Sequence, residues 1–154
     1  MNASGLVPWP RTVTHDTRRE GVRLGLIVAT TTWLWLVVVD VAMRQPFHTF
    51  EALGGVAVFT AMHYLLNIVY GIVLLSAVHG AERAPSLILA ALFGVLLFEV
   101  AMAMLTVILA QYGLGGAAWL GVFGGSLIAT ALALLLLART HPLSAYLHRA
   151  EEES

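Results

Sequence analysis

The stretch that decides the fold lies between Ser86 and Ala110 and reads SLILAALFGVLLFEVAMAMLTVILA. Glu99, near its middle, is the one charged side chain in this apolar run. The run is long enough for a membrane helix, which needs roughly 20 mostly apolar residues. A carboxylate at mid-bilayer costs at least about 2.5–3.5 kcal/mol, so it is kept neutral, is paired, or faces a protein interior. The position of Glu99 is therefore informative if the rest of the chain indicates a membrane.

The composition does indicate a membrane. The chain of 154 residues is 59% hydrophobic and 11% charged, with a mean hydropathy of +0.85. A soluble domain carries about 25% charged residues, so this deficit is too large for a surface that faces water. A net charge of −1 without lysine offers no basic surface for nucleic acid. The absence of cysteine excludes disulfides and thiol chemistry.

Four apolar runs predict an all-α, polytopic membrane protein with a bundle of four transmembrane helices. The runs do not alternate with a period of two, which argues against a barrel. We expect a transmembrane domain over 24–138, flanked by a tail at 1–23 and an amphipathic and acidic tail at 139–154. The predicted spans are 24–43, 53–78, 86–110 and 117–138.

The arginines predict the orientation. Arg44 is alone on one side, and the other seven of the eight basic residues lie in the two tails and the second connection. Because cytoplasmic loops carry the excess of arginine, both termini are expected in the cytoplasm. The prediction is a multi-pass protein of the bacterial inner membrane, with the lipid bilayer as its first partner.

The second span carries a polar stripe. Thr60, His63, Asn67 and Tyr70 follow each other at spacings of three and four, so they share one face of a helix. Glu99 is predicted to lie in the same layer of the third span. Two interpretations stay open for this intramembrane polar cluster. It is either structural pairing between helices, or a proton relay or ligand site, since intramembrane ionisable groups are functional candidates.

Asp40 stands near the outer end of the first span, four residues before Arg44. This spacing predicts a helix-end salt bridge between Asp40 and Arg44. The alternative is an outer gate that leads toward Glu99.

Small residues recur at every fourth position of the fourth span. Ala117, Gly121, Gly125 and Ala129 form a helix-packing seam that lets another helix approach closely. Two partners for this seam stay open. It packs within the chain, or it contacts a second subunit in a homo-oligomer or a larger membrane complex.

The histidines do not predict a cofactor. His63 and His79 lie about 160° apart around one helix, so they cannot ligate a single haem together. A single bond from His63 to haem iron or to the magnesium of a pigment stays open. The set of His63, Glu99 and Asn67 is too small to predict a metal site. The sequence therefore requires no cofactor and no metal, and it contains no motif of a catalytic residue.

Four short motifs carry a family resemblance. They are Val39-Asp40, Arg44-Gln-Pro-Phe, His63-Tyr64 and Phe98-Glu99, in this order along the chain. Over residues 22–142 the chain resembles a group of small, uncharacterised bacterial proteins with four membrane helices. The resemblance implies this architecture and brings no activity with it.

Three functions follow as hypotheses. The first is a non-enzymatic structural or accessory component, such as a subunit of a larger membrane complex. The second is a proton-coupled transporter of small solutes that uses Glu99 with His63 and Asn67. The third is a subunit that binds haem or pigment through His63.

Overall fold

The computed structural model describes residues 17–80 and 86–140. Most of the predicted N-terminal tail and nearly all of the predicted C-terminal tail lie outside these residues. The described parts form helices joined by short turns. These are α1 (Thr17–Ala42), α2 (His48–Ala52), α3 (Val56–Gly80), α4 (Ser86–Leu109) and α5 (Gly124–Thr140). Two π-helical turns, Ala110–Leu114 and Ala118–Phe123, lie between α4 and α5.

The all-α prediction is confirmed for the residues that the structure describes. Four of their helical segments are long and apolar enough to cross a membrane. The third and fourth of these segments each take in one of the π-helical turns. The segments are Thr17–Ala42, Val56–Gly80, Leu89–Leu114 and Ala118–Thr140.

The helix ends differ from the predicted spans where the local backbone decides. α1 begins at Thr17, well before Leu24, because the arginine-bearing segment continues the same helix. At its other end Arg44 and Phe47 adopt left-handed backbone angles (φ 58° and 63°), which end the helix and reverse the chain. α3 starts after Gly54 and Gly55, whose φ values of 103° and 91° suit glycine.

Glycines bring α1 and α3 into the tightest helix contact of the described residues. A methyl group at Gly25 would collide with the carbonyl oxygen of Asn67, and one at Gly71 with that of Gly21. The two backbones therefore touch, which is possible only where no Cβ intervenes. This contact sets the rotation of α3 against α1, and thereby the direction of its polar stripe.

The bundle is packed unevenly. Its apolar core lies toward the end at which α1 begins, and α4 is the least buried of the four long helices. In α4, 11% of the spanning stretch is buried inside the protein, against 44% in α1. The core consists of Leu24, Val28, Leu74, Leu75, Val78, Val95, Ala133 and Leu137. Toward the other end, the helices leave a space between them.

Candidate binding site

This space is a cavity of about 350 Å³ between α1, α3, α4 and α5. Its wall is mostly apolar, with Phe59, Phe98 and Met102 among the larger side chains. Met62 and Leu66 of α3 line the cavity and are still 50% and 60% exposed. The cavity is therefore open beside Met62 and Leu66 of α3. Its polar lining residues are Thr32, His63, Asn67, Tyr70, Ser126 and Thr130.

His63 is turned toward α1. Its Nε2 lies 3.1 Å from the carbonyl oxygen of Ala29 and 3.0 Å from Oγ1 of Thr32. Because a carbonyl only accepts, this nitrogen carries the hydrogen, and the tautomer follows from the network. Asn67 donates to the carbonyl oxygen of His63 at 2.8 Å, and its Nδ2 lies 3.4 Å from Nδ1 of the ring. Both ring nitrogens thus have protein partners.

Thr60 and Tyr70, the two ends of the polar stripe, have different surroundings. The indole Nε1–H of Trp33 donates to Oγ1 of Thr60 at 3.0 Å, which ties α1 to α3. The Tyr70 ring stacks on Phe98 with 5.4 Å between centroids. The Tyr70 hydroxyl is buried and has no hydrogen-bond partner within residues 17–80 and 86–140. This hydroxyl is therefore an unused hydrogen-bond donor in the cavity wall.

Glu99 bonds to α5 instead of α3. Its Oε1 contacts Oγ1 of Thr130 in a short hydrogen bond, and its Oε2 lies 2.9 Å from Oγ of Ser126. The same Ser126 oxygen lies 2.8 Å from the carbonyl oxygen of Phe123. Both hydroxyl side chains line the cavity, so the carboxyl group stands directly behind its wall. Among the described residues, the hydrogen-bond partners of the Glu99 carboxyl group are two hydroxyls, and none of them is a cation.

The predicted polar cluster is thus divided into two networks on one cavity. His63 and Asn67 bond within α3 and to α1, while Glu99 bonds to α5. The sequence analysis did not include Ser126 and Thr130 among the site residues. Their spacing of four residues, beside the small-residue seam, was the available signal, because it places both hydroxyls on one face of a helix.

Asp40 is paired with Thr49, where Arg44 was expected. The carboxylate is 1% exposed and accepts the backbone N–H of Thr49 at 2.9 Å and its hydroxyl at 2.5 Å. Arg44 is exposed and lies in the left-handed turn that ends α1. The turn folds α2 back onto α1 and so brings the first turn of α2 to the acid. Asp40 consequently fastens α2, and the predicted pair with Arg44 is not among the ion pairs of the described residues.

The small-residue seam packs largely within the chain. A Cβ at Gly121 would lie 3.2 Å from Leu36, and one at Gly125 would lie 3.3 Å from Trp35, both on α1. Trp35 also donates its Nε1–H to the carbonyl oxygen of Leu120 at 2.8 Å, inside a π-helical turn. Ala117 is buried, and Ala129 lines the cavity. At Gly121 and Gly125, the seam is therefore occupied by α1.

Haem or pigment ligation by His63 would require one ring nitrogen to give up its present bonds. Residues 17–80 and 86–140 contain no group of three or more His, Asp or Glu side chains that could hold a metal ion.

Comparison of the chain with models of protein families, with curated proteins and with solved structures found no match.

Proposed function

We propose that this chain is a multi-pass protein of the bacterial cytoplasmic membrane, with both termini in the cytoplasm. We propose further that it is a non-enzymatic accessory component that holds a lipid-soluble molecule between its helices. The proposal applies equally to a single chain, a homo-oligomer and a subunit of a larger complex.

The cavity carries this proposal. Its volume of about 350 Å³ falls within the range of small-molecule sites, which are mostly apolar with a few convergent polar groups. The open side lies beside Met62 and Leu66 of α3, which are exposed and apolar, so in a bilayer it would face acyl chains and admit a molecule from the lipid. Three of the polar wall residues, Asn67, Ser126 and Thr130, hydrogen-bond without a fixed charge, which suits an uncharged occupant.

A substitution that fills the cavity with a larger side chain tests the proposal. Ala129 lines the cavity, and Ala131, on the same helix, is exposed. Ala129→Phe should remove the space, while Ala131→Phe adds the same side chain outside it. We expect polymer-extracted native particles of the unsubstituted protein and of A131F to retain an apolar molecule in a constant molar ratio. The A129F particles should lack it. Equal retention in A129F and A131F, or no retained molecule in any of them, would refute the proposal.

Proton-coupled transport is the second candidate, and the contact of Glu99 with two hydroxyls of the cavity wall favours it. Glu99→Gln keeps the size of the side chain and removes its titration. In proteoliposomes loaded with a pH-sensitive dye, a carrier would move protons when a solute gradient is imposed, and E99Q would not. Equal proton movement in E99Q and the unsubstituted protein would exclude this candidate.

The absence of native cysteine gives a direct test of orientation. Gln45→Cys lies in the exposed turn after α1, and Ser154→Cys lies at the end of the chain. In intact cells, a membrane-impermeant maleimide should label Q45C and leave S154C unlabelled until the membrane is opened. The opposite pattern would reverse the proposed orientation.

A further inference from the structure

The hydrogen bonds around Glu99 need one hydrogen more than its neighbours supply. Oγ of Ser126 lies within bonding distance of two oxygens, Oε2 of Glu99 at 2.9 Å and the Phe123 carbonyl at 2.8 Å. A serine hydroxyl has one hydrogen, and a carbonyl oxygen has none. If Ser126 donates to Phe123, the hydrogen between Ser126 and Glu99 must come from Glu99.

The second carboxyl oxygen of Glu99 does not supply the missing hydrogen. Oε1 of Glu99 contacts the Thr130 hydroxyl, whose hydrogen fills that bond. With Glu99 ionised, Ser126 would have to divide one hydrogen between two acceptors. With Glu99 neutral, every contact is a full hydrogen bond in one chain. Thr130 donates to Glu99, the carboxyl O–H donates to Ser126, and Ser126 donates to the Phe123 carbonyl.

The electrostatic surroundings agree with a neutral acid. Glu99 is the only titratable side chain of α4, and on α5 the only one is Arg139, in its last turn. From α3, Tyr70 stacks on Phe98, the residue next to Glu99, and its buried hydroxyl has no hydrogen-bond partner among the described residues. Glu99 is partly buried, and no cation among the described residues compensates a negative charge at this point. Withdrawing an uncompensated charge from water is costly.

We propose that Glu99, Ser126, Thr130 and the Phe123 carbonyl form a proton-binding site in the cavity wall, and that its hydrogen-bond pattern is that of a carboxyl group holding a proton. Release of the proton leaves a carboxylate that accepts from Ser126 and Thr130.

Dicyclohexylcarbodiimide, a lipid-soluble reagent, tests the site because it adds the O–H of a protonated carboxyl group across its C=N bond. Asp40 is the comparison within the same chain, since its carboxylate accepts two hydrogen bonds. In lipid nanodiscs, we expect mass spectrometry to find the adduct at Glu99 and none at Asp40. The rate should fall by about tenfold per pH unit once the site deprotonates.

Two results would overturn the proposal. One is an unmodified Glu99 combined with a strongly lowered melting temperature of Glu99→Gln, since an amide reproduces both the donor and the acceptor of a neutral acid. The other is protection of Glu99 by sodium ions at constant pH, because carboxylate, hydroxyl and carbonyl oxygens are also the ligands of hard cations.

Carbodiimide labelling of Glu99 and retention of a bound molecule can succeed or fail independently. A129F closes the cavity without altering any atom of the Glu99 network, so labelling of Glu99 in A129F supports the proton site even if no molecule is retained. The proton site fails alone if the bound molecule is found while Glu99 stays unmodified.

Discussion

Asp40 and Glu99 are two acids in apolar helices, of which Asp40 is buried and Glu99 partly buried. Their hydrogen bonds also differ in one respect. The partners of Asp40, the N–H and the O–H of Thr49, bring a hydrogen for each carboxylate oxygen. The partners of Glu99 bring one hydrogen fewer than the contacts need. The comparison teaches that the donors around an acid distinguish a fixed structural anion from a group that holds a proton.

The largest expected effect is at Asp40. Asp40→Asn replaces one accepting oxygen by an NH₂ group that faces a donor of Thr49, so a bond is lost and two donors oppose each other. We expect unfolding of the protein in nanodiscs to become easier by about 2 kcal/mol, read from its melting temperature. A fully stable D40N would mean that Asp40 does not act as an anion, and the contrast with Glu99 would disappear.

A smaller effect is expected at the partner of Asp40. Thr49→Val removes the hydroxyl and keeps the backbone N–H, so Asp40 loses one of its two bonds. The expected loss of stability is about 1 kcal/mol. Thr31→Val is a matched control, because its hydroxyl bonds only to the Ile27 carbonyl within α1. A loss in T31V as large as that in T49V would show that the pairing with Asp40 adds nothing.

The loss of the Glu99 partner should be smaller again. Ser126→Ala removes the acceptor of the proposed carboxyl hydrogen, and hydrogen bonds between helices in membranes are worth about 0.6 kcal/mol on average. We expect a stability loss of this order together with a change in the reactivity of Glu99 toward carbodiimide. An unchanged reactivity in S126A would break the proposed chain of hydrogen bonds.

The smallest effect is expected at Arg44. Because Asp40 is satisfied by Thr49, Arg44→Gln should change the free energy of unfolding by less than about 0.5 kcal/mol. A loss as large as that of D40N would restore the salt bridge that the spacing of Asp40 and Arg44 suggests. Thermal unfolding of both variants in the same lipid decides between the two.

The sequence was sufficient to predict the helices and insufficient to predict their rotation. Long apolar runs and the lack of charge predicted the four long helices, because both follow from local composition. The partners of His63 depend on how α3 is turned, and the backbone contact at Gly25 and Gly71 turns His63 toward α1. Such a contact joins distant parts of the chain, so the spacing along one helix does not reveal it.

The same limit explains Asp40 and Glu99. The partner of Asp40 depends on the chain reversal at Arg44 and Phe47, two residues with positive φ that are not glycine. Such angles are uncommon outside glycine, and the sequence gives no sign of them here. For Glu99, the layer along the bundle was predictable from the rise per residue, whereas the choice of α5 over α3 was not. α5 and the π-helical turn before it pack against α1 at Gly125 and Gly121, a contact between distant parts of the chain.

Infrared spectroscopy in nanodiscs tests the difference between the two acids most directly, since a protonated carboxyl group has a carbonyl stretching band that a carboxylate lacks. At neutral pH, we expect such a band in the unsubstituted protein, its loss in E99Q and its persistence in D40N. A spectrum without this band, or a band that vanishes in D40N and survives in E99Q, would contradict the account.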